Sequence, residues 1–224
     1  MHKATAVARS LIAAPPPVLS SACLRTRLHL TTMEHSRKYP DFHCEQTVVL
    51  VGMMGAGKTT VGRRLAPRLG LPFFDADSEI EQAAGMSVSE LFQRHGEKSF
   101  RDGEARVIAR LLEGPPHVLA TGGGALTHAE TRRLVAEKAI SVWLKADTDT
   151  LARRATRRGT RPLLATGDPE ETLARLMDER EAYYAGSDIH VESQPGPHAQ
   201  TVNLIVDMLA EHLGLPLNQP RETS

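Results

Sequence analysis

Eight consecutive residues carry the plainest chemistry in this chain. Gly52-Met53-Met54-Gly55-Ala56-Gly57-Lys58-Thr59 fits G-x-x-x-x-G-K-[ST] at every fixed position. Glycines let a turn aim its backbone N–H groups inward, and a helix start adds partial positive charge at the same point. Such a turn cradles phosphates. Lys58 is expected to reach β- and γ-phosphates, and the Thr59 hydroxyl is placed to ligate Mg²⁺. A chance glycine-rich turn is the bland alternative, and the strand pattern before it and helix pattern after it argue against chance. The motif specifies ATP or GTP and leaves the acceptor open.

Four further features bear on the acceptor. Asp75 and Asp77 stand two apart in Phe74-Asp75-Ala76-Asp77, so an extended chain puts both carboxylates on one side. One could hold Mg²⁺ through water and the other orient a hydroxyl. An N-cap for a helix at Ser78 is the structural alternative, and Asp77 could serve both purposes. Arg101 and Glu104 are three apart on a helix and can pair, or Arg101 can fork onto a substrate carboxylate. Thr121-Gly122-Gly123-Gly124 follows a strand; three glycines in a row are costly in chain entropy and make sense where a ligand approaches the backbone closely. Arg161, in Arg161-Pro162-Leu163-Leu164, lies in a segment of loop composition, and Arg180 lies on the next helix. A loop arginine can close over a nucleotide and neutralise developing charge, although surface exposure alone would explain either residue.

The elements that must position these groups are legible as alternating strands and helices. Short β-rich runs are expected at 47–51, 71–74, 118–120, 140–144 and 189–192. Helices are expected at 58–69, frayed by Pro67, and at 87–112, broken by Gly96 and weakened at Gly103. Further helices are expected at 128–138, 148–158, 169–184 and 199–213, with Pro169 at a tolerated first position. This alternation implies an α/β fold with a central parallel sheet covered by helices on both faces. Ligands then bind outside the carboxyl ends of the strands, where the motifs above fall.

Lys plus Arg and Asp plus Glu are equal, 27 each, which leaves no net field and argues against nucleic acid as a partner. Cys23 and Cys44 both precede the first strand, so the core is expected to lack a disulfide, a cysteine nucleophile and a thiolate metal site, consistent with a reducing, cytoplasmic compartment. His95, His117, His128 and His190 read as surface or loop residues. The longest apolar run, 11–19, contains Pro15, Pro16 and Pro17 and is too short to span a membrane. Residues 1–46 read as an N-terminal extension: a transit peptide, a disordered extension, or sequence upstream of a true start at Met33. Residues 47–215 form the expected domain, with a lid over about 155–169, and 216–224 read as a disordered tail. A monomer is expected at this size.

Taken in order, GMMGAGKTT, FFDADSEIE, FRDGE, TGGGA, RPLL and the Arg180 helix resemble the shikimate kinase family, over roughly 47–213. The resemblance implies a P-loop NTPase fold, nucleoside-monophosphate-kinase-like with a lid. It implies transfer of the ATP γ-phosphate to the 3-hydroxyl of shikimate, a step toward chorismate and the aromatic amino acids, with Mg²⁺ as cofactor. By the same resemblance Gly55, Ala56, Gly57, Lys58, Thr59 and Thr60 hold the phosphates, and Thr59 ligates Mg²⁺ with Asp75 in the outer shell. Asp77 binds the shikimate hydroxyls and is the candidate base. Arg101 and Arg180 take the carboxylate, and Gly122, Gly123 and Gly124 line the pocket. Arg161 touches the transferring phosphate, and Arg154 matches a position against adenine. One departure stands out: Ser193-Gln194-Pro195-Gly196 holds no basic residue where many members carry one. The alternatives are another small-molecule kinase of this fold, such as a gluconate kinase or a nucleoside monophosphate kinase, and a non-catalytic binding domain. A GTPase would need an N-K-x-D signature, which the sequence lacks.

Overall fold

A computed structural model describes residues 44–156, 168–193 and 198–215. Five strands form one sheet: β1 (Thr47–Val51), β2 (Phe73–Asp75), β3 (Val118–Ala120), β4 (Ala139–Lys145) and β5 (Ile189–Glu192). They lie in the order β2-β3-β1-β4-β5. All neighbours are parallel, with Val49 opposite Leu119 on one side and Ser141 on the other. Every residue of β1 is buried. Because side chains alternate across a strand, that burial requires cover on both faces of the sheet, as the run of Val and Leu predicts. Seven helices supply it among the described residues: α1 (Lys58–Arg68), α2 (Ala76–Ala84), α3 (Val88–Leu112), α4 (Ala129–Lys138), α5 (Thr148–Thr156), α6 (Pro169–Ala185) and α7 (His198–His212). The chain leaves β1 toward β2, returns to β3, then crosses β1 to reach β4. The carboxyl end of β1 is therefore the switch point, where a crevice opens.

Several local expectations needed adjusting. Pro67 does not fray α1. The helix closes in a two-bond cap instead, with Leu71 N–H donating to Ala66 O (2.9 Å), Gly70 N–H donating to Pro67 O (3.4 Å) and Gly70 left-handed at φ 65°. Proline removes one intrahelical bond in that turn, and the two cap bonds close the helix after it. The break at Gly96 is present (φ 75°, ψ 168°), whereas Gly103 stays helical. The start of α3 carries a reciprocal cap between Ser87 and Glu90. Helix α2 begins at Ala76, earlier than the Ser78 start. Its N-cap is Asp75, whose Oδ1 accepts from Asp77 N–H (3.1 Å), and Asp77 lies in the first turn. The two carboxylates are thus brought together by a cap and not by strand alternation, and the capping role falls to Asp75 alone.

Two residues lie deeper than the sequence suggested. Cys44 is buried in the core, and its N–H donates to Leu69 O (3.2 Å), so the described packing includes three residues ahead of β1. His117 is not a surface residue. It is buried just before β3, edge-on to Phe74, with Nδ1 2.9 Å from Pro115 O. No helix among the described residues is long and apolar enough to cross a membrane.

Burial holds the His117 imidazole below its usual 6.5, only partly countered by the bond to Pro115. A depressed folded value means stability that is present above 6.5 and lost as pH falls through 6.5 and then through the folded value. The thermal midpoint is therefore expected to drop between about pH 7 and about pH 5. His117→Gln, which keeps a donor but cannot titrate there, is expected to flatten the slope in thermal melts. An unchanged slope would assign the acid sensitivity elsewhere.

Candidate active site

The phosphate loop spans the gap between β1 and α1. Gly52, Gly55 and Gly57 all have positive φ (130°, 85° and 94°), and Gly57 caps α1 with its backbone alone. Two of these positions are also crowded. A Cβ on Gly52 would lie 2.6 Å from Leu144 O, and one on Gly55 would lie 2.8 Å from Leu151 O. The loop is pressed against β4 and α5, so both conformation and space demand glycine. Lys58 is buried, and its ammonium donates to Gly52 O (2.6 Å) and Met53 O (2.9 Å). The amine thus closes the loop that it belongs to.

A cleft of about 310 Å³ opens beside this loop. Its walls bring together Gly55 and Gly57 from the loop, Lys58, Thr59 and Thr60 from the start of α1, Asp75 and Asp77 from the junction of β2 and α2, Thr121, Gly122 and Gly123 from the end of β3, Arg154 from α5 and His198 from α7. Thr59 Oγ1 donates to Asp75 Oδ2 at 2.7 Å, which joins the phosphate side to the carboxylate side. Ala56 is buried behind the loop. Arg154 Nη1 donates to the Ser193 hydroxyl (3.3 Å), at the start of the stretch that lacks a basic residue. Arg161 lies outside the described residues.

Gly124, Arg101 and Arg180 sit just behind this wall. Arg180 is buried on α6 and donates to Gly123 O (3.2 Å). The Arg101 guanidinium lies directly against the α-carbon of Gly124, where a Cβ would collide with it. Arg101 Nη1 also donates to Glu104 Oε2 (2.6 Å), and Nη2 to Glu97 (3.2 Å). The pairing with Glu104 is therefore made, and it does not take Arg101 away from the site. Burial pulls the Arg101 pKa down, but the charges of Glu104 and Glu97 more than offset that and leave it raised. Burial pushes the Glu104 carboxyl above the usual carboxylate range, with Arg101 opposing and the nearby Asp77 adding to the rise.

Four residues that the sequence reading did not select belong to this constellation. Glu104 is 1% exposed, its Oε1 has no hydrogen-bond partner among the described residues, and a Cβ on Gly122 would land on that atom. Its spacing from Arg101 was visible, but its burial was not. Tyr184 follows Arg180 by one helical turn and donates its hydroxyl to Gly123 O. Thr121 fastens the second glycine turn to β1 by donating its hydroxyl to Leu50 O (3.0 Å). His198 begins α7 with its Cε1 3.7 Å from where a Gly57 Cβ would lie. Burial and the charges of Arg64 and Arg154 hold its imidazole below the usual range. No sequence pattern marked it.

The family model for shikimate kinase matches residues 54–210. The chain belongs to the shikimate kinase family. It is 58% identical to the shikimate kinase of Bradyrhizobium diazoefficiens over 168 residues, 75% of this chain and 81% of that protein. It is 57% identical to the shikimate kinase of Caulobacter vibrioides over 166 residues, 74% of this chain and 83% of that protein. Among solved structures, the shikimate kinase from Acinetobacter baumannii in complex with shikimate superposes with a TM-score of 0.74 at 36% identity, covering 76% of this chain and 96% of that one. A gluconokinase from Sinorhizobium meliloti superposes with a TM-score of 0.53 at 19% identity, covering 77% of this chain and 97% of that one, which speaks for the fold alone. As a shikimate kinase family member, the chain has the expected α/β fold, with a five-stranded parallel sheet flanked by helices.

The crowding of the phosphate loop in this family member has a measurable consequence. Gly85 also has positive φ (66°), but a Cβ there would meet nothing within 4 Å. Gly85→Ala is expected to cost about 1–2 kcal/mol, the left-handed penalty alone. Gly52→Ala must in addition displace the Leu144 carbonyl and is expected to cost clearly more. Denaturant unfolding of the two variants makes the comparison, and equal losses would remove the Leu144 contact as a constraint.

Proposed function

We propose that this chain transfers the γ-phosphate of ATP to the 3-hydroxyl of shikimate, giving shikimate 3-phosphate and ADP, as a cytoplasmic monomer. The observation that carries this reading is the sharing of one cleft by the phosphate loop, through Lys58 and Thr59, and by Asp77 and Gly123, with Arg101 and Arg180 immediately behind. That arrangement suits an anionic nucleotide at one end and a small hydroxylated carboxylate at the other. Gluconate would offer similar groups, but only a fold-level likeness favours it. The free cysteine among the described residues, buried Cys44, is compatible with a reducing compartment.

The residues fit a divalent ion. The Thr59 hydroxyl and Asp75 carboxylate are hard oxygen donors facing the cleft, 2.7 Å apart. No cluster of three or more His, Cys, Asp or Glu that could hold a metal occurs among the described residues. Mg²⁺ bound through Thr59, with Asp75 in its outer shell, would depend on substrate phosphates and water for its other ligands, which is usual for this ion. When bound it would neutralise charge on the phosphates.

The chain's own groups do the remainder by positioning and electrostatics. The N–H groups of Gly55 to Thr60 hold the phosphates at the start of α1. Lys58 turns from Gly52 O and Met53 O to the β- and γ-phosphates, so its charge is already at the place of need. Arg154 borders the nucleotide end. Gly122 and Gly123 line the acceptor pocket with Gly124 behind them, and Arg101 and Arg180 fork onto the acceptor carboxylate. Asp77 orients the attacking hydroxyl and accepts its proton. Arg161, outside the described residues, is the expected lid residue at the transferring phosphate.

The deciding experiment follows ADP release from MgATP with shikimate, gluconate, AMP or no acceptor. Release that depends on shikimate alone is the expected result. Release with a different acceptor would keep the phosphate loop chemistry and discard the acceptor assignments, and no release with measurable ATP binding would leave a non-catalytic domain. Asp77→Asn is expected to lower kcat by about 100-fold or more with little change in the KM for ATP; near-normal turnover would remove Asp77 from the mechanism. Arg101→Ala is expected to raise the KM for shikimate by about 10- to 100-fold. An unchanged KM would assign the carboxylate to other residues.

A further inference from the structure

We propose that Tyr184 is a positioning residue for the acceptor: its hydroxyl keeps the Gly123 carbonyl satisfied, which frees Arg180 to leave that carbonyl and bind a carboxylate. This rests on the proposed assignment of Arg180 to the shikimate carboxylate. The Gly123 carbonyl accepts from two donors, Arg180 Nη1 (3.2 Å) and the Tyr184 hydroxyl. Arg180 and Tyr184 are four apart on α6, so both reach it from one helix face. A carbonyl oxygen has two lone pairs, and here both have protein donors.

The geometry makes one donor permanent and the other exchangeable. Tyr184 is 2% exposed, its ring lies 5.8 Å from that of Trp143, and its hydroxyl oxygen is 3.5 Å from Met53 Sδ. The thioether is a weak acceptor beside a carbonyl, so the hydroxyl stays on Gly123 O. Burial pushes its phenol up to about 12, so it remains a donor throughout the working pH range. The Arg180 guanidinium has further donors and a charge that a carboxylate would attract. If Arg180 were alone on Gly123 O, its departure would strand a buried carbonyl, and binding an acceptor would carry that penalty. With Tyr184 in place the peptide between Gly123 and Gly124 keeps its orientation, because a planar peptide fixes both its carbonyl and the opposite N–H. Gly123 cannot drift to compensate, since a Cβ there would already lie 3.0 Å from Met54 N.

Tyr184→Phe deletes the hydroxyl and keeps the ring. Initial-rate kinetics of the full chain are expected to show the KM for shikimate raised about tenfold, with kcat and the KM for ATP within about twofold of wild type. An unchanged KM for shikimate overturns the proposal. So does a parallel rise in both KM values with a lowered thermal midpoint, which would make Tyr184 a structural residue only. If the variant is too unstable for kinetics, ligand-induced stabilisation gives the same comparison. Loss of the shift with shikimate and retention of the shift with ATP supports the proposal, and loss or retention of both overturns it. Wild-type activity on shikimate, measured alongside, separates this test from the proposed function: without it, the substrate reading fails first.

Discussion

Two glycine turns meet backbone to backbone at the carboxyl ends of β1 and β3, and the rest of the site depends on that approach. A Cβ on Gly123 would lie 3.0 Å from Met54 N and 3.6 Å from Gly52 O, so no side chain separates the turns. Parallel neighbours in the sheet bring the strand ends together, and the Thr121 bonds to Leu50 O hold the second turn against the first strand. Because β1 lies between β3 and β4, the phosphate loop is wedged between Gly123 on one side and the Leu144 carbonyl on the other. Bulk at either wall would widen the cleft or tilt the loop. The distance between a bound nucleotide and its acceptor is thus set by packed main chain and not by side-chain rotamers, which suits chemistry that relies on alignment.

Charge burial is the second constraint. Arg101 and Arg180 both lie in a part of the protein with little solvent, where an unmatched guanidinium would cost several kcal/mol. Each has a substitute partner: Arg101 pairs with Glu104, and Arg180 bonds the Gly123 carbonyl. These contacts keep the arginines folded inward and aimed at the same pocket. They are also the contacts that an anionic acceptor must compete with or add to. The Glu104 carboxyl is raised by burial and by Asp77 and lowered by Arg101 and Arg180, so its charge depends on both arginines.

Much of this was legible in the sequence because the residues concerned obey local rules. The strand at 189–192 and the third strand at 118–120 were read to the residue, since each is a short β-rich run bounded by turn signals. The phosphate loop is a fixed pattern, and its glycines do adopt the positive φ that the pattern implies. What escaped depended on long-range packing. His117 looks like a loop histidine because Pro115 and Pro116 precede it, yet β3 draws it inward. The capping role of Asp75 turned on a helix start two residues earlier than propensity suggested. Tyr184 and His198 acquire their place near the cleft only when α6 and α7 pack, which no spacing announces.

The chain has one tryptophan, and the fold puts it behind the catalytic face. Trp143 stands in β4 with Tyr184 on one side, and its Cδ1 would lie 3.2 Å from a Cβ on Gly52. Its indole nitrogen is buried without a hydrogen-bond partner among the described residues. A single shielded indole touching both the helix that carries Arg180 and the first glycine of the phosphate loop is a native chromophore at the junction of the two substrate halves. Its emission colour and lifetime give the unlabelled enzyme an optical readout of loop and helix settling, on timescales that steady-state turnover does not resolve.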